Sequence, residues 1–128
     1  MIVDTSALIA IVFKEPGHEE LIHKISEAEY LGIGTPSLAE TGIVLSARLR
    51  GGGRTILARL CQELGLVQVP FGEAHWREAV DAYERFGRGR HSAKLNFGDC
   101  LSYATAKLAG QPLLCVGEDF SKTDLEIA

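Results

Sequence analysis

The sequence has few cysteines and no long apolar run, and each of these two features excludes a class of protein. Its three cysteines, Cys61, Cys100 and Cys115, form no CxxC pair. An odd, dispersed set argues against a disulfide scaffold and predicts small buried thiols in a reducing compartment. The four histidines show no zinc-ligand spacing. No segment approaches the ~20 apolar residues that cross a bilayer, and the apolar start lacks the basic region of a signal peptide. We therefore expect a cytoplasmic protein with no membrane partner.

Length and charge narrow the class further. The chain has 128 residues, of which 46% are hydrophobic and 23% are charged. These values are ordinary for a globular protein, and the length predicts a single domain over residues 1–128. The formal net charge of -4 does not suggest a nucleic-acid binder that is basic throughout. Acidic and basic residues fall in separate places, so local charge matters more than the net value.

The order of predicted elements indicates an α/β sandwich with a mainly parallel sheet. Short apolar runs predict buried strands at 1–3, 30–34, 66–69 and 113–116, and the tail at 121–128 could add an edge strand. Helical spacing and Gly or Pro breaks predict helices at 7–13, 19–28, 36 to 48 or 50, 54–64, 73–86 and 96–109. Thr35 and Asn96 are the predicted caps of the third and last helices.

Acidic residues follow the predicted strands at the edge where ligands bind in such a sheet. Asp4 ends the first strand, and Glu118 and Asp119 come directly after the last. Asp99 lies in the first turn of the last helix, from which its side chain can point towards the same edge. Converging carboxylates repel one another, and a hard divalent cation such as Mg²⁺ resolves that conflict. A metal held there can activate water and stabilise charge on a phosphate.

Glu40 is predicted to lie on an apolar helix face. Its neighbours at helical spacing are Ile43, Val44 and Ala47. The side chain would therefore face the core or the rim of a cleft, where an unpaired charge is costly.

Each acid also has a structural explanation. Asp4 could cap the helix that follows it, and Asp99 could complement a helix dipole. Ser37 and Glu40 match a capping box, although a helix start at Thr35 places Glu40 beyond the cap turn. Glu118 and Asp119 could be plain turn residues. The functional interpretation depends on the whole set, in order, at the sheet end.

Four segments together resemble the PIN-domain nucleases, and more narrowly the VapC toxins of type II toxin–antitoxin systems. They are Ile2–Leu8 with Asp4, Pro36–Glu40, Asn96–Cys100 with Asp99, and Gly117–Phe120. A lone V-D-T-S is weak, whereas the four segments in order, in a chain of this length, are a strong combined signal. Spacing near the last acid varies in the family, so Asp119 is our choice and Glu118 the reserve.

The resemblance implies a PIN-like three-layer α/β/α sandwich and a metal-dependent endoribonuclease. It implies that Asp4, Glu40, Asp99 and Asp119 are the catalytic acids and hold Mg²⁺, or alternatively Mn²⁺. It further implies inhibition by a VapB-like antitoxin, whose arginine would enter the carboxylate cluster, and it suggests a homodimer. Apolar helix faces could supply the dimer interface or belong to the core; these are Leu21, Ile22 and Ile25, and Ile43, Val44 and Leu45.

Two basic stretches are candidates for RNA contact. The first flanks Gly51–Gly53 with Arg48, Arg50, Arg54 and Arg59; the second leads into the last helix with Arg85, Arg88, Arg90, His91 and Lys94. Phosphate contacts from such residues give affinity and little sequence selectivity. The plain alternative is a solvated face. Trp76 and Phe86 are expected in the core, with base stacking as the alternative.

Other functions fit the sequence less well. A receiver domain needs an aspartate after its third strand, where this chain has Pro70-Phe71. A haloacid-dehalogenase-like phosphatase needs D-x-D after strand one, and Asp4-Thr5-Ser6 lacks the second acid. A catalytically inactive PIN-like scaffold that binds RNA or protein stays open as the alternative, but all the acid positions are filled.

Overall fold

The computed structural model describes all 128 residues and contains one four-stranded parallel sheet. The strands are β1 (Ile2–Val3), β2 (Gly32–Gly34), β3 (Val67–Val69) and β4 (Leu113–Leu114). They lie in the order β3-β2-β1-β4. Ile2 pairs with Gly32 on one side and with Leu113 on the other, so the first strand is central. The predicted tail strand is reduced to one parallel bridge between Leu113 and Ile127.

Six helices surround this sheet. They are α1 (Thr5–Val12), α2 (His18–Glu27), α3 (Thr35–Arg48), α4 (Gly53–Leu64), α5 (Glu73–Phe86) and α6 (Phe97–Ala109), followed by a 3₁₀ turn at Phe120–Lys122. The predicted α/β/α sandwich is therefore confirmed. Thr35 is not the cap of α3, because β2 runs directly into the helix: Gly34 occupies the cap position without a side-chain hydrogen bond, and Pro36 lies in the first turn. No helix combines the length and apolar character that a membrane crossing requires.

The two hydrophobic layers follow from the alternation of side chains along the strands. Ile2 and Leu113 pack with α5 and α6, whereas Val3 and Leu114 pack with α1 and α2 on the opposite face. The central strands are thus covered on both sides, as is typical of parallel sheets. Helix α3 packs against α1, α4 and α6.

Two of the three cysteines are less buried than expected. Cys100 is buried, but Cys61 and Cys115 are only half-buried, and all three are free thiols. Leu21 and Ile25 of α2 are core residues, which leaves only Ile22 exposed on that face. The core assignment of Leu21 and Ile25 is therefore confirmed, and these two residues are not available for a dimer interface.

Candidate active site

Asp4 is the buried centre of the site. It follows β1 directly and caps α1, and it is only 6% exposed. Its Oδ2 accepts hydrogen bonds from the Ser6 backbone N–H at 3.0 Å and from the Ser6 hydroxyl at 2.6 Å. Its Oδ1 accepts a hydrogen bond from the Ser102 hydroxyl of α6 at 2.5 Å. The capping role expected as an alternative is thus real, and it fixes the carboxylate at the sheet end.

Asp99 lies in the first turn of α6 and forms the predicted cap with Asn96. The Asp99 N–H donates to Asn96 Oδ1 at 2.9 Å, and the Asn96 N–H donates to Asp99 Oδ2 at 3.0 Å. This reciprocal pair satisfies two backbone groups at the helix start and fixes the Asp99 side chain. Burial raises the pKa of Asp99, the hydrogen bond from Asn96 opposes this, and the charges of Asp4, Asp119 and Glu40 raise it further. The four carboxylates are therefore close enough to interact.

Glu40 is exposed on α3, so of the two positions that its helix face predicted, the core or the rim of a cleft, the rim is confirmed. Ile43 on the same face is 70% exposed. The buried face of α3 consists instead of Ser37, Thr41 and Leu45, which are spaced four residues apart. The Glu40 carboxylate lies against Gly98 at the start of α6, so closely that a Cβ at residue 98 would push the carboxylate aside. The absence of a side chain at residue 98 thus brings Glu40 next to the turn that carries Asp99.

The structure distinguishes between the two candidates for the fourth acid. Asp119 starts the 3₁₀ turn, and its charge acts on Asp99. Glu118 and Asp119 are both exposed, each with only its backbone carbonyl hydrogen-bonded, but the charges that act on Asp99 do not include that of Glu118. Asp119 is therefore the better-placed acid.

The carboxylate cluster, defined as Asp4, Glu40, Asp99 and Asp119, has no cationic partner. Every ion pair of the molecule involves other acids. An uncompensated set of hard oxygen donors fits a divalent cation such as Mg²⁺. No three of its side chains converge closely enough to bind an ion directly in this conformation. Because Mg²⁺ keeps several waters, two direct ligands with water-mediated contacts to the others are compatible with this arrangement.

Cys115 lies beside the same cluster without being a candidate ligand or nucleophile. Burial, followed by the charges of Asp4 and Asp99, raises the pKa of Cys115 to about 11. The thiol is therefore protonated at neutral pH, and the reactive form of cysteine is the thiolate.

Sequence reasoning missed three buried hydroxyls beneath Asp4, those of Ser37, Thr41 and Ser102. Ser102 contacts Asp4 and lies 3.1 Å from the Ser37 hydroxyl. The Ser37 carbonyl accepts hydrogen bonds from Thr5 at 3.1 Å and Thr41 at 2.7 Å. The only available signal was a pair of hydroxyl residues four apart on α3, which is common in any helix.

Each basic stretch contains arginines without a carboxylate partner, Arg50 and Arg54 in the first and Arg88 and Arg90 in the second. Arg48 stacks on Phe13, and Arg85 pairs with Asp81 and Asp124. Arg88 and Arg90 have no carboxylate partner, and Arg90 lies over an aromatic ring of α5. The loop before α6 therefore offers unpaired positive charge close to the turn that carries Asp99.

Apolar side chains line the approach to the cluster. A groove of about 550 Å³ is lined by Pro36, Ala39, Glu40, Ile43, Val44, Phe71, Phe97 and Leu101. Phe97 is 81% exposed. Phe86 packs against the core as expected, but Trp76 is half exposed under the Arg77 guanidinium, so its predicted core position is wrong.

Comparisons with known proteins agree with this architecture. The PIN domain family model matches residues 1–126. Ribonuclease VapC36 of Mycobacterium tuberculosis is 48% identical over 98% of this chain and 91% of its own length. Ribonuclease VapC of Mycolicibacterium smegmatis is 44% identical over 98% of this chain and 97% of its own length.

Solved structures show the same fold at lower identity. VapC20 of M. tuberculosis, described as a sarcin-ricin loop cleaving toxin, superposes with a TM-score of 0.81 at 17% identity, over 99% of this chain and 97% of its own. FitAcB of Neisseria gonorrhoeae has a TM-score of 0.72 at 18% identity, over 98% of this chain and 94% of its own. The family match and the close relatives establish that this chain belongs to the PIN-domain family, among the VapC ribonucleases.

Proposed function

We propose that this protein is a magnesium-dependent endoribonuclease, the toxin of a type II toxin–antitoxin system acting in the cytoplasm. The observation that carries the proposal is the uncompensated carboxylate cluster around Asp99, in a chain related to VapC ribonucleases. Asp4, Glu40, Asp99 and Asp119 are the proposed catalytic and metal-binding residues of one PIN domain spanning residues 1–128. Mn²⁺ would serve in place of Mg²⁺, since both prefer oxygen ligands.

The four side chains of the cluster have different proposed roles. Asp4 and Asp99 are held by hydrogen bonds at the sheet end, so they provide the preorganised oxygens. Glu40 and Asp119 lie towards solvent, where they can orient water at the rim. When bound, the ion lowers the pKa of a water ligand and neutralises charge on the scissile phosphate. The free guanidinium groups of the loop before α6 would contact the RNA backbone.

The alternative of a non-cleaving scaffold has no observation in its favour. Such a scaffold would be expected to lack one or more acids of the site, and this chain retains all four.

Cleavage of labelled cellular RNA tests the proposal. We expect cutting with Mg²⁺, none with EDTA, and losses of at least ~100-fold for Asp4→Asn and Asp99→Asn. Asp119→Asn should lose activity, whereas Glu118→Gln is the matched control and should retain it. Equal cutting by the parent, Asp4→Asn and Asp99→Asn would show that the site lies elsewhere.

The proposed partner is a VapB-like antitoxin. An apolar segment of the antitoxin would occupy the 550 Å³ groove, and an arginine at its end would enter the carboxylate cluster. Ile43→Asp would place a charge in that groove and should weaken inhibition while the RNA-cutting activity persists. Full inhibition of Ile43→Asp by the product of the adjacent gene would argue against docking in this groove.

A homodimer is the proposed oligomer. Val80 and Tyr83 of α5 and Phe97 of α6 are exposed together and line an apolar depression of about 310 Å³. Contiguous exposed apolar patches are rare on monomers, so a second copy would cover this one.

A further inference from the structure

Ser102 has a hydrogen-bonding arrangement that packing in the core does not require. It lies in the middle of α6, where the following residues Tyr103 and Ala104 are fully buried core residues. The Ser102 side chain is itself 2% exposed, and a buried hydroxyl is costly unless it is hydrogen-bonded. Its partner is the carboxylate of Asp4, which is 98 positions away in the sequence.

Thr105 shows what a hydroxyl in this helix does when it has no role in the site. Thr105 is 1% exposed, and its hydroxyl donates to the Leu101 carbonyl of its own helix at 2.9 Å. That local bond satisfies the group without reaching another element. Ser102 instead bonds only to side chains of other elements, those of Asp4 and Ser37.

The direction of the hydrogen bonds can be assigned. An ionised carboxylate only accepts, so the single hydroxyl proton of Ser102 goes to Asp4 Oδ1. The Ser102 oxygen must then accept the proton of Ser37, whose hydroxyl lies 3.1 Å away. The series of hydrogen bonds therefore runs from Ser37 on α3, through Ser102 on α6, to Asp4, the residue that follows β1.

This series of hydrogen bonds fixes the plane of the Asp4 carboxylate from the side of the protein interior. Ser6 occupies Oδ2 with two hydrogen bonds and Ser102 occupies Oδ1 with one, so both oxygens are held and one lone pair of Oδ1 remains free for an ion. Ser102 also follows Asp99 by three residues on the same helix, about one turn. One helix thus carries Asp99 and orients Asp4.

We propose that Ser102 is a positioning residue that fixes the orientation of the Asp4 carboxylate relative to Asp99 and so sets the affinity of the site for a divalent cation. The proposal rests on the metal-dependent nuclease function proposed above. Groups that orient metal ligands typically change metal affinity or activity by about 10–100-fold when they are removed.

Calorimetric titration of the metal-free protein with Mn²⁺ tests this role without depending on turnover. We expect Ser102→Ala to bind Mn²⁺ about 10–100-fold more weakly, with a parallel fall in RNA cleavage. Thr105→Val is the matched control, since it removes a buried hydroxyl of the same helix and should leave Mn²⁺ affinity unchanged. Ser102→Thr restores the donor and should recover most of the affinity. Thermal melting without metal shows that each variant is folded.

The outcomes separate this inference from the proposed function. If Asp4→Asn loses Mn²⁺ binding while Ser102→Ala binds like the parent, the positioning role is overturned and the nuclease proposal stands. If Ser102→Ala and Thr105→Val weaken binding equally, the effect is general packing and the inference also fails. A parent that cuts RNA in EDTA and binds no Mn²⁺ overturns both.

Discussion

Asp124 connects the C-terminal segment to α6, and we expect its removal to destabilise the protein measurably. Its Oδ1 accepts a hydrogen bond from the Tyr103 hydroxyl at 2.6 Å. Its Oδ2 accepts from Lys107 at 2.8 Å and Arg85 at 3.4 Å. Asp119 lies five residues earlier in the same segment. The substitution Asp124→Asn removes the charge and retains the approximate shape of the side chain.

The size of the effect follows from the pKa of Asp124. Burial alone would raise this pKa, but the hydrogen bonds from Lys107 and Tyr103 and the charges of Lys107 and Arg85 lower it from 3.8 to about 2. At 1.36 kcal/mol for each pH unit, this lowering of the pKa corresponds to roughly 2 kcal/mol. Because the side chain is 35% exposed, water screens these interactions, and we expect about 1 kcal/mol.

The pH dependence of this contribution has a definite direction. The folded protein holds fewer protons on Asp124 than the unfolded chain between the two pKa values, so its contribution is complete above about pH 4. It is lost as the pH falls towards 2. The difference in unfolding free energy between parent and Asp124→Asn should therefore be constant near neutrality and shrink between pH 4 and pH 2.

Urea unfolding at a series of pH values measures this difference. Asp81→Asn is the matched control, because Asp81 contacts the same Arg85 at 3.5 Å from an exposed helical position. A pair of that kind contributes only about 0.3–0.5 kcal/mol. If Asp124→Asn costs no more than Asp81→Asn, or if its cost does not change down to pH 2, the reasoning is refuted.

Three further predictions concern the site and its surroundings. Burial and neighbouring acids raise the pKa of Asp99, so Asp99→Asn should raise the urea midpoint of the metal-free protein at pH 7. This gain in stability should vanish below pH 3.8, because the Asp99 carboxyl of the parent is protonated there. Replacing Arg88 and Arg90 by Ala should weaken RNA binding and reduce the slope of log affinity against log salt concentration by the equivalent of about two phosphate contacts. An unchanged slope would remove that loop from the binding surface. Phe97→Ser should shift the protein towards monomer in sedimentation experiments, and an unchanged dimer fraction would place the interface outside the depression lined by Val80, Tyr83 and Phe97.

The sequence predicted the helices best where local chemistry alone decides their ends. Helix α5 runs over the predicted 73–86, since Gly72 and Gly87 flank it. Helix α6 begins where Asn96 was expected to cap it, because the cap depends on a reciprocal pair only three residues apart. Thr35 shows the limit of this reasoning. Strand β2 runs directly into α3 and no side chain caps the helix, a continuity that propensity alone does not reveal.

The pattern of α3 alone could not decide whether Glu40 faces the core or the rim of a cleft. Pattern reasoning assumes that an apolar face is a buried face. In α3 the exposed face carries Ile43 and lines a groove, whereas the buried face carries the hydroxyls of Ser37 and Thr41. Which face is buried depends on what α1 and α6 place opposite, and this is information that no single helix contains.

The inversion of polarity on α3 follows from the needs of Asp4. A carboxylate that is 6% exposed at the end of a central strand must be surrounded by donors, because an apolar contact there would leave its oxygens unpaired. Helices that pack against it must therefore bury hydroxyls, which Ser37 and Ser102 provide. The apolar residues Ile43 and Val44 lie instead on the outer face of α3, where they line the groove beside Glu40. The buried hydroxyls beneath Asp4 and the exposed apolar groove beside the cluster are thus two faces of one helix.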